Sequence, residues 1–399
     1  MKIKNLHINE FKGLRDISIN FEKNDKPLDL VVLAGSNGSG KTRVLESILD
    51  YFQKIVNHIE NENVAGVFFE TDEQNCLNQG YDSNMLYLIL NYYNDENNVE
   101  RGRKVVEENL KVFPKIIYVP TEINFQKVEI ASPMLVQEYS FLNIVDSGLI
   151  KDVPSYIATR IMEMANEKEN TPMGEIRAAV FKEINEIFEI LDLDIKISGI
   201  SKNAKSIPIF TNSLGDKFDI NELSSGEKQL FLRTLAIRML NPENSIILID
   251  EPELSLHPKW QQRIVDVYRK IGKNNQIIIA THSPHILGSV RKENIMLLDK
   301  DDDRKIVVRT GDELYDSYGQ PTERILEDIM GLKTTRNLEI FDKLEKIREM
   351  VNEDKYETDD FKKEYGDLKE ILGTMDEDIM LIDMEIQIRR KGLKNVKNK

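Results

Sequence analysis

The chain has 399 residues, of which 40% are hydrophobic and 31% charged, with a formal net charge of -15. That is material for about two to three domain-sized units, or equally for one large α/β domain carrying an insertion. The acidic balance argues against a protein that coats nucleic acid nonspecifically, because phosphates repel its average surface, while a local basic groove stays open.

Residues 1–7 alternate apolar and polar side chains like a strand and lack the apolar core of a signal peptide. The single cysteine, Cys76, allows no internal disulfide and fits a reducing compartment. No apolar run approaches the ~20 residues that span a bilayer, so a soluble, cytoplasmic protein without a membrane partner is expected.

Residues 3–21 predict two short strands around a turn at Lys12-Gly13. Residues 28–34 form a nearly continuous apolar run, the mark of a strand buried on both faces. It enters Gly35-Ser36-Asn37-Gly38-Ser39-Gly40-Lys41-Thr42, after which a helical pattern runs from 43 to about 59. From 60 to 221 the character changes. Asn- and Glu-rich stretches surround short strand candidates at 67–70 and 85–91, and residues 115–119 predict another buried strand. Residues 155–191 read as helical with a loop near Asn170-Thr171-Pro172, and 195–220 as irregular β structure with turns at Lys202-Asn203 and Leu214-Gly215-Asp216.

A helix over 225–240 then leads to a strand at 246–249. A helix over 258–271 leads to a strand at 276–280, and a short helix after Pro284 leads to a strand at 295–299. Such alternation implies a parallel sheet with right-handed crossovers. Residues 299–303 read as a hairpin turn. From Pro321 the pattern is helical and charged, with helices near 337–351, 361–372 and 376–390 and an apolar stripe at Leu338, Phe341, Leu344, Ile347 and Met350.

Residues 35–42 fit the pattern of a phosphate-binding loop. Its glycines let backbone N–H groups and a helix N-terminus face an anion together. Lys41 would neutralise the β- and γ-phosphates of ATP, and the Thr42 hydroxyl would ligate Mg²⁺. The strand at 246–249 delivers Asp250 and Glu251 to its C-terminal end, where open α/β sheets bind ligands. Asp250 would hold Mg²⁺ and Glu251 would orient or deprotonate the attacking water. Taken alone, an acidic pair ending a strand is as well explained by a solvated loop.

Three further segments resemble ABC-type ATPases. Leu223-Ser224-Ser225-Gly226-Glu227-Lys228-Gln229 is similar to the ABC signature, with Ser225 and Glu227 replacing the usual first glycine and the glutamine. The same residues also spell a helix N-cap with a capping box. Thr281-His282-Ser283-Pro284-His285 matches the family's switch histidine at His282. Glu253-Leu254-Ser255-Leu256-His257-Pro258 stands where the family has its D-loop and, like Ile8-Asn9-Glu10-Phe11-Lys12-Gly13-Leu14, resembles the RecF, SMC and overcoming-lysogenisation branch. Gln126 is the candidate Q-loop residue and third metal ligand.

The resemblance implies an α/β fold: an ABC-type P-loop ATPase head (1–59 and 222–310) with an N-terminal antiparallel β-subdomain, an inserted mixed lobe (60–221) and a C-terminal helical tail (321–399). It also implies a homodimer, or a higher homo-oligomer, that sandwiches two ATP–Mg²⁺. Each site would take Lys41, Thr42, Asp250, Glu251 and His282 from one chain and Ser224, Ser225, Gly226 and Glu227 from the other. The tail from Leu326 to Leu332 and beyond resembles Septu-type and retron-associated ATPases of anti-phage defence, which implies a separate effector such as an HNH nuclease. A RecF-like DNA repair ATPase, with DNA as partner, and a transporter motor subunit are the alternatives.

Overall fold

In a computed structural model, which describes residues 2–56, 67–71, 114–121, 141–201, 207–301 and 303–397, the N-terminal residues pair as the alternation predicts. Strands β1 (Ile3–Phe11) and β2 (Leu14–Asn20) are antiparallel, with Leu6 opposite Ile19 and Phe11 opposite Leu14. Lys12 and Gly13 both adopt left-handed backbone angles, which closes the two-residue turn. A short hairpin follows, β3 (Glu22–Lys23) and β4 (Lys26–Pro27), and β6 (Val67–Thr71) pairs with the free edge of β1. The strand candidate at 85–91 lies outside the described residues.

The main sheet is built from β5 (Leu30–Ala34), β7 (Ile116–Val119), β8 (Leu142–Ile144), β12 (Ile246–Asp250), β13 (Gln276–Ala280), β14 (Ile295–Lys300) and β15 (Ile306–Thr310). Its order is β15-β14-β5-β13-β12-β7-β8, parallel throughout except for the β14–β15 hairpin. Every residue of β5, β7, β12 and β13 is buried, as their unbroken apolar runs require. Alternate residues take opposite faces. Val31, Leu33, Ile246, Leu248, Ile278 and Ala280 share one core with Leu6 and Ile8 of β1 and with Val44, Leu45 and Ile48 of the helix Lys41–Val56. Full burial of one Leu or Ile contributes roughly 1.5–3 kcal/mol, so this core fixes the helix that carries the phosphate loop.

The 60–221 stretch is not wholly separate from the head, because β7 within it pairs in register with β12. Its remaining described part holds helices Val153–Glu167 and Met173–Phe188 and a small antiparallel sheet of β9 (Lys196–Ile200), β10 (Pro208–Thr211) and β11 (Lys217–Asp219). Phe188 stacks on Phe231 with ring centroids 4.3 Å apart, and Phe210 meets the same ring edge-on at 4.6 Å. Phe231 belongs to the helix Ser225–Met239, so the lobe is seated on that helix. The helix expected over 258–271 comes as two pieces, Pro258–Gln261 and Ile264–Arg269.

The first compact unit runs to Ile325. Residues just before that point belong to it: the buried Ser317 hydroxyl donates to Val290 O at 2.6 Å. The second unit, Leu326–Lys399, holds helices Leu338–Asn352, Asp359–Leu372 and Glu377–Lys397. They bury Leu344, Ile347, Val351, Phe361, Leu368, Ile379 and Ile382 together. Of the predicted stripe, Leu344 and Ile347 are core, Phe341 and Met350 are half-buried, and Leu338 is 65% exposed.

Candidate nucleotide site

The phosphate loop leaves β5 through Gly35, whose φ of +143° lies outside the range of L side chains. A Cβ there would stand 2.2 Å from Leu298 O, so β14 forces glycine at this position. Lys41 opens the following helix, and its ammonium donates to Gly35 O at 2.8 Å and Ser36 O at 3.0 Å. Burial pulls the Lys41 ammonium below its usual range, while the carboxylates of Glu251, Glu253 and Asp250 pull the other way. The Ser39 hydroxyl is buried and has no hydrogen-bond partner among the described residues. A loop that holds its lysine on its own carbonyls, with an unpaired buried hydroxyl beside it, suits a phosphate chain.

Asp250 ends β12 and is 2% exposed. The Thr42 hydroxyl donates to its Oδ1 at 3.1 Å, and the Thr121 hydroxyl donates to its Oδ2 at 2.7 Å. Burial pushes the Asp250 carboxyl above the usual carboxylate range, and these two hydrogen bonds oppose the shift. Glu251 follows with φ of 44°, a left-handed conformation that a non-glycine residue adopts at a cost of about 1–2 kcal/mol. Its N–H donates to Ala280 O at 2.9 Å, which turns the chain towards β13. Strain of this kind is kept where the surroundings impose it, as at reactive sites.

His282, just past β13, has Nδ1 3.4 Å from Glu251 Oε1 and 3.7 Å from Glu253 Oε1. Glu253 holds the turn that carries it. Its Oε1 accepts from the Thr281 hydroxyl at 2.6 Å and from the His282 N–H at 3.0 Å. Its other oxygen is buried without a partner among the described residues. Lys41, Thr42, Asp250, Glu251 and His282 therefore meet at the C-terminal ends of β5, β12 and β13, as open α/β sheets arrange their ligand sites.

The Ser224 segment forms the capping box that its residue types allow. Ser224 Oγ accepts from the Glu227 N–H at 3.3 Å, and Glu227 Oε2 accepts from the Ser224 N–H at 3.0 Å. Ser224 and Ser225 are exposed, whereas Gly226 is buried. A Cβ on Gly226 would stand 2.6 Å from Ser255 O, so the helix start and the loop after Glu253 are in backbone contact. Gln126 lies outside the described residues. Sequence reasoning missed Thr121 and Arg233, whose side chain reaches the carbonyls of Pro120 and Thr121. Thr121 sits next to the predicted strand at 115–119, and that was the signal available for it.

A glycine loop between a buried strand and a helix, facing an Asp-Glu pair at the end of another strand in the same sheet, defines a P-loop ATPase head of the ABC-like class. A family model described as "AAA ATPase domain" matches residues 1–138, and one described as "AAA domain, putative AbiEii toxin, Type IV TA system" matches residues 130–288. The chain is 26% identical over 385 residues to the Septu protein PtuA of Bacillus thuringiensis, covering 88% of this chain and 91% of that one. It is 24% identical over 393 residues to the "Retron Vc95 probable ATPase" of Vibrio cholerae serotype O1 biovar El Tor, covering 76% and 74%. An SMC head domain from Thermotoga maritima superposes with a TM-score of 0.41 at 15% identity, covering 78% of this chain and 100% of that one. The chain is an ATPase similar to the ABC-like ATPases of the Septu and retron type. Among the described residues, no helix is long and apolar enough to cross a membrane.

Proposed function

We propose that the chain is a nucleotide-driven switch in an anti-phage assembly. Two copies close on two ATP molecules, and the closed pair governs a separate effector nuclease of the HNH type. The observation that carries this reading is the meeting of Thr42, Asp250, Glu251 and His282 at one end of the sheet, combined with an exposed helix start at Ser224 and Ser225. In this reading the ATPase head comprises 1–59 and 222–310 with the strands β7 and β8 that the 60–221 stretch adds to its sheet, the rest of 60–221 is the lobe, and the unit Leu326–Lys399 carries the effector.

Lys41 neutralises the β- and γ-phosphates against the amides of 35–42. The Thr42 hydroxyl and the Asp250 carboxylate are hard oxygen donors that fit Mg²⁺, which when bound would offset phosphate charge. Glu251 accepts a proton from water as the water oxygen bonds to the γ-phosphorus and the bond to the β–γ bridging oxygen breaks, releasing ADP and phosphate. His282 donates a hydrogen bond to the γ-phosphate and loses it when phosphate leaves. Ser224 and Gly226 of a second copy receive the same phosphate from the other side, so ATP favours the closed pair and hydrolysis releases it.

Light scattering tests the closed pair. With ATP and the Glu251→Gln variant, the mass per particle should double relative to ADP, or double per assembly unit if the chain is already oligomeric. An unchanged mass across protein concentration would overturn the sandwich. The effector limb has its own check. Met380, Leu381, Met384 and Ile388 are exposed on the helix Glu377–Lys397, a row that a docked partner would cover. Leu381→Glu combined with Met384→Glu should keep ATP turnover and lose co-purification with the proposed HNH-type effector. Unchanged co-purification would remove the tail from that role.

A further inference from the structure

The helix Ser225–Met239 is buried along most of its length, and one of its buried side chains is a cation. Arg233 is 2% exposed, and the hydrogen bonds of its guanidinium go to carbonyls. It donates to Pro120 O at 3.1 Å, to Thr121 O, and more distantly to Glu251 O at 3.5 Å, while Nε has no partner among the described residues. Enclosing such a charge costs several kcal/mol even after relaxation, and an apolar side chain of similar volume often serves stability as well. The carboxylates of Asp250, Glu253 and Glu251 favour the charge, yet burial by itself is weak reason for an arginine here. A guanidinium differs from an apolar side chain in its fixed fork of donors, which holds two or three acceptors in one geometry.

Two of those acceptors, Pro120 O and Thr121 O, belong to the turn at the exit of β7, and the turn acts on the site. The Thr121 hydroxyl donates to Asp250 Oδ2 at 2.7 Å, opposite the Thr42 hydroxyl on Oδ1. The carboxylate is thus held on one side by the phosphate-loop helix and on the other by a turn that Arg233 pins. Arg233 lies nine residues beyond Ser224, roughly 14 Å along a stiff helix at 1.5 Å per residue.

We infer that Arg233 and Thr121 form a strut from this helix to Asp250, through which a group bound at the helix start sets the aim of the Asp250 carboxylate. Both are positioning residues, and what they position is the grip on the divalent cation in their own chain. The inference rests on the proposed reading of Ser224 and Gly226 as facing a partner's nucleotide. It deepens that reading by giving the second copy a route into the first copy's metal site.

Manganese, followed by electron paramagnetic resonance in the presence of ATP, serves as the probe with the full chain. Thr121→Val removes the hydroxyl at nearly constant volume and should weaken Mn²⁺ binding about 10- to 100-fold, the usual range for a group that orients a ligand. Thr121→Ser should restore it to within about threefold. Arg233→Lys keeps charge without the fork and should match Thr121→Val. The double variant should be no weaker than either single one, because both changes break one path.

Linkage is reciprocal, so in the Glu251→Gln background Mn²⁺ should bind more tightly to the ATP-closed pair than to the separated chain. Thr121→Val should erase that difference. Wild-type Mn²⁺ affinity in Thr121→Val, or a monomer–dimer difference that survives it, overturns the strut. If Arg233→Lys does not fold, the Val and Ser variants at 121 and the monomer–dimer comparison still decide. If Glu251→Gln stays separate with ATP, the sandwich reading fails by that measurement alone, whatever the affinities at 121.

Discussion

Glu251→Gln should bind ATP almost as wild type does and hydrolyse it on the order of 100-fold more slowly, or worse, which corresponds to about 2.7 kcal/mol at the transition state. The glutamine keeps the shape that the left-handed backbone at 251 presents, and the backbone N–H can still donate to Ala280 O. What disappears is a carboxylate able to accept a proton, 3.4 Å from His282 Nδ1. Lys41→Ala should behave differently. It removes the ammonium that now rests on Gly35 O and Ser36 O, so ATP affinity falls together with turnover. Equilibrium binding of a fluorescent ATP analogue, beside phosphate release, separates the two cases. Near wild-type turnover by the Glu251 variant would take that residue out of the hydrolytic role.

Lys41→Ala and Ser224→Arg should each be inactive alone and should recover activity when mixed. Each change damages both sites of a symmetric pair, while a mixed pair keeps one site with Lys41 from one chain and Ser224 from the other. The capping box supplies the competing account of Ser224, and magnitude distinguishes them. Losing an N-cap costs about 1 kcal/mol of stability, which leaves a folded and active protein. Because Ser224 is exposed, an arginine has room there. A folded, inactive Ser224→Arg protein therefore points beyond the cap. An active one would reduce the segment to a helix start, and absence of recovery after verified subunit exchange would overturn the shared site.

The sheet was readable because its strands announce themselves. Residues 30–34, 246–249 and 277–280 are apolar runs that lead into Gly35, Asp250 and Thr281, and each is buried on both faces. Strand β8 was not readable, because Leu142-Asn143-Ile144 is three residues long and takes its register from β7. The helix expected over 258–271 carries the right periodicity, yet it breaks at Gln262 and Arg263, where the Arg263 side chain reaches out to Ile190 O at 2.8 Å. The site followed the same division. Lys41, Thr42, Asp250 and Glu251 sit in short motifs whose spacing carries their chemistry. Thr121 and Arg233 meet in a contact between residues 112 positions apart, and one arginine within a helix looks like any solvated one until the fold encloses it.

The close approach of Gly226 to the Ser255 carbonyl, with 2.6 Å left for a Cβ, makes one jaw of two elements that sequence separates. There is no room for a side chain between them, so the two present one continuous surface. A surface that mates with the helix start mates with the loop at Ser255 in the same motion. A methyl group added at 226 would act as a wedge between two elements whose backbones meet there.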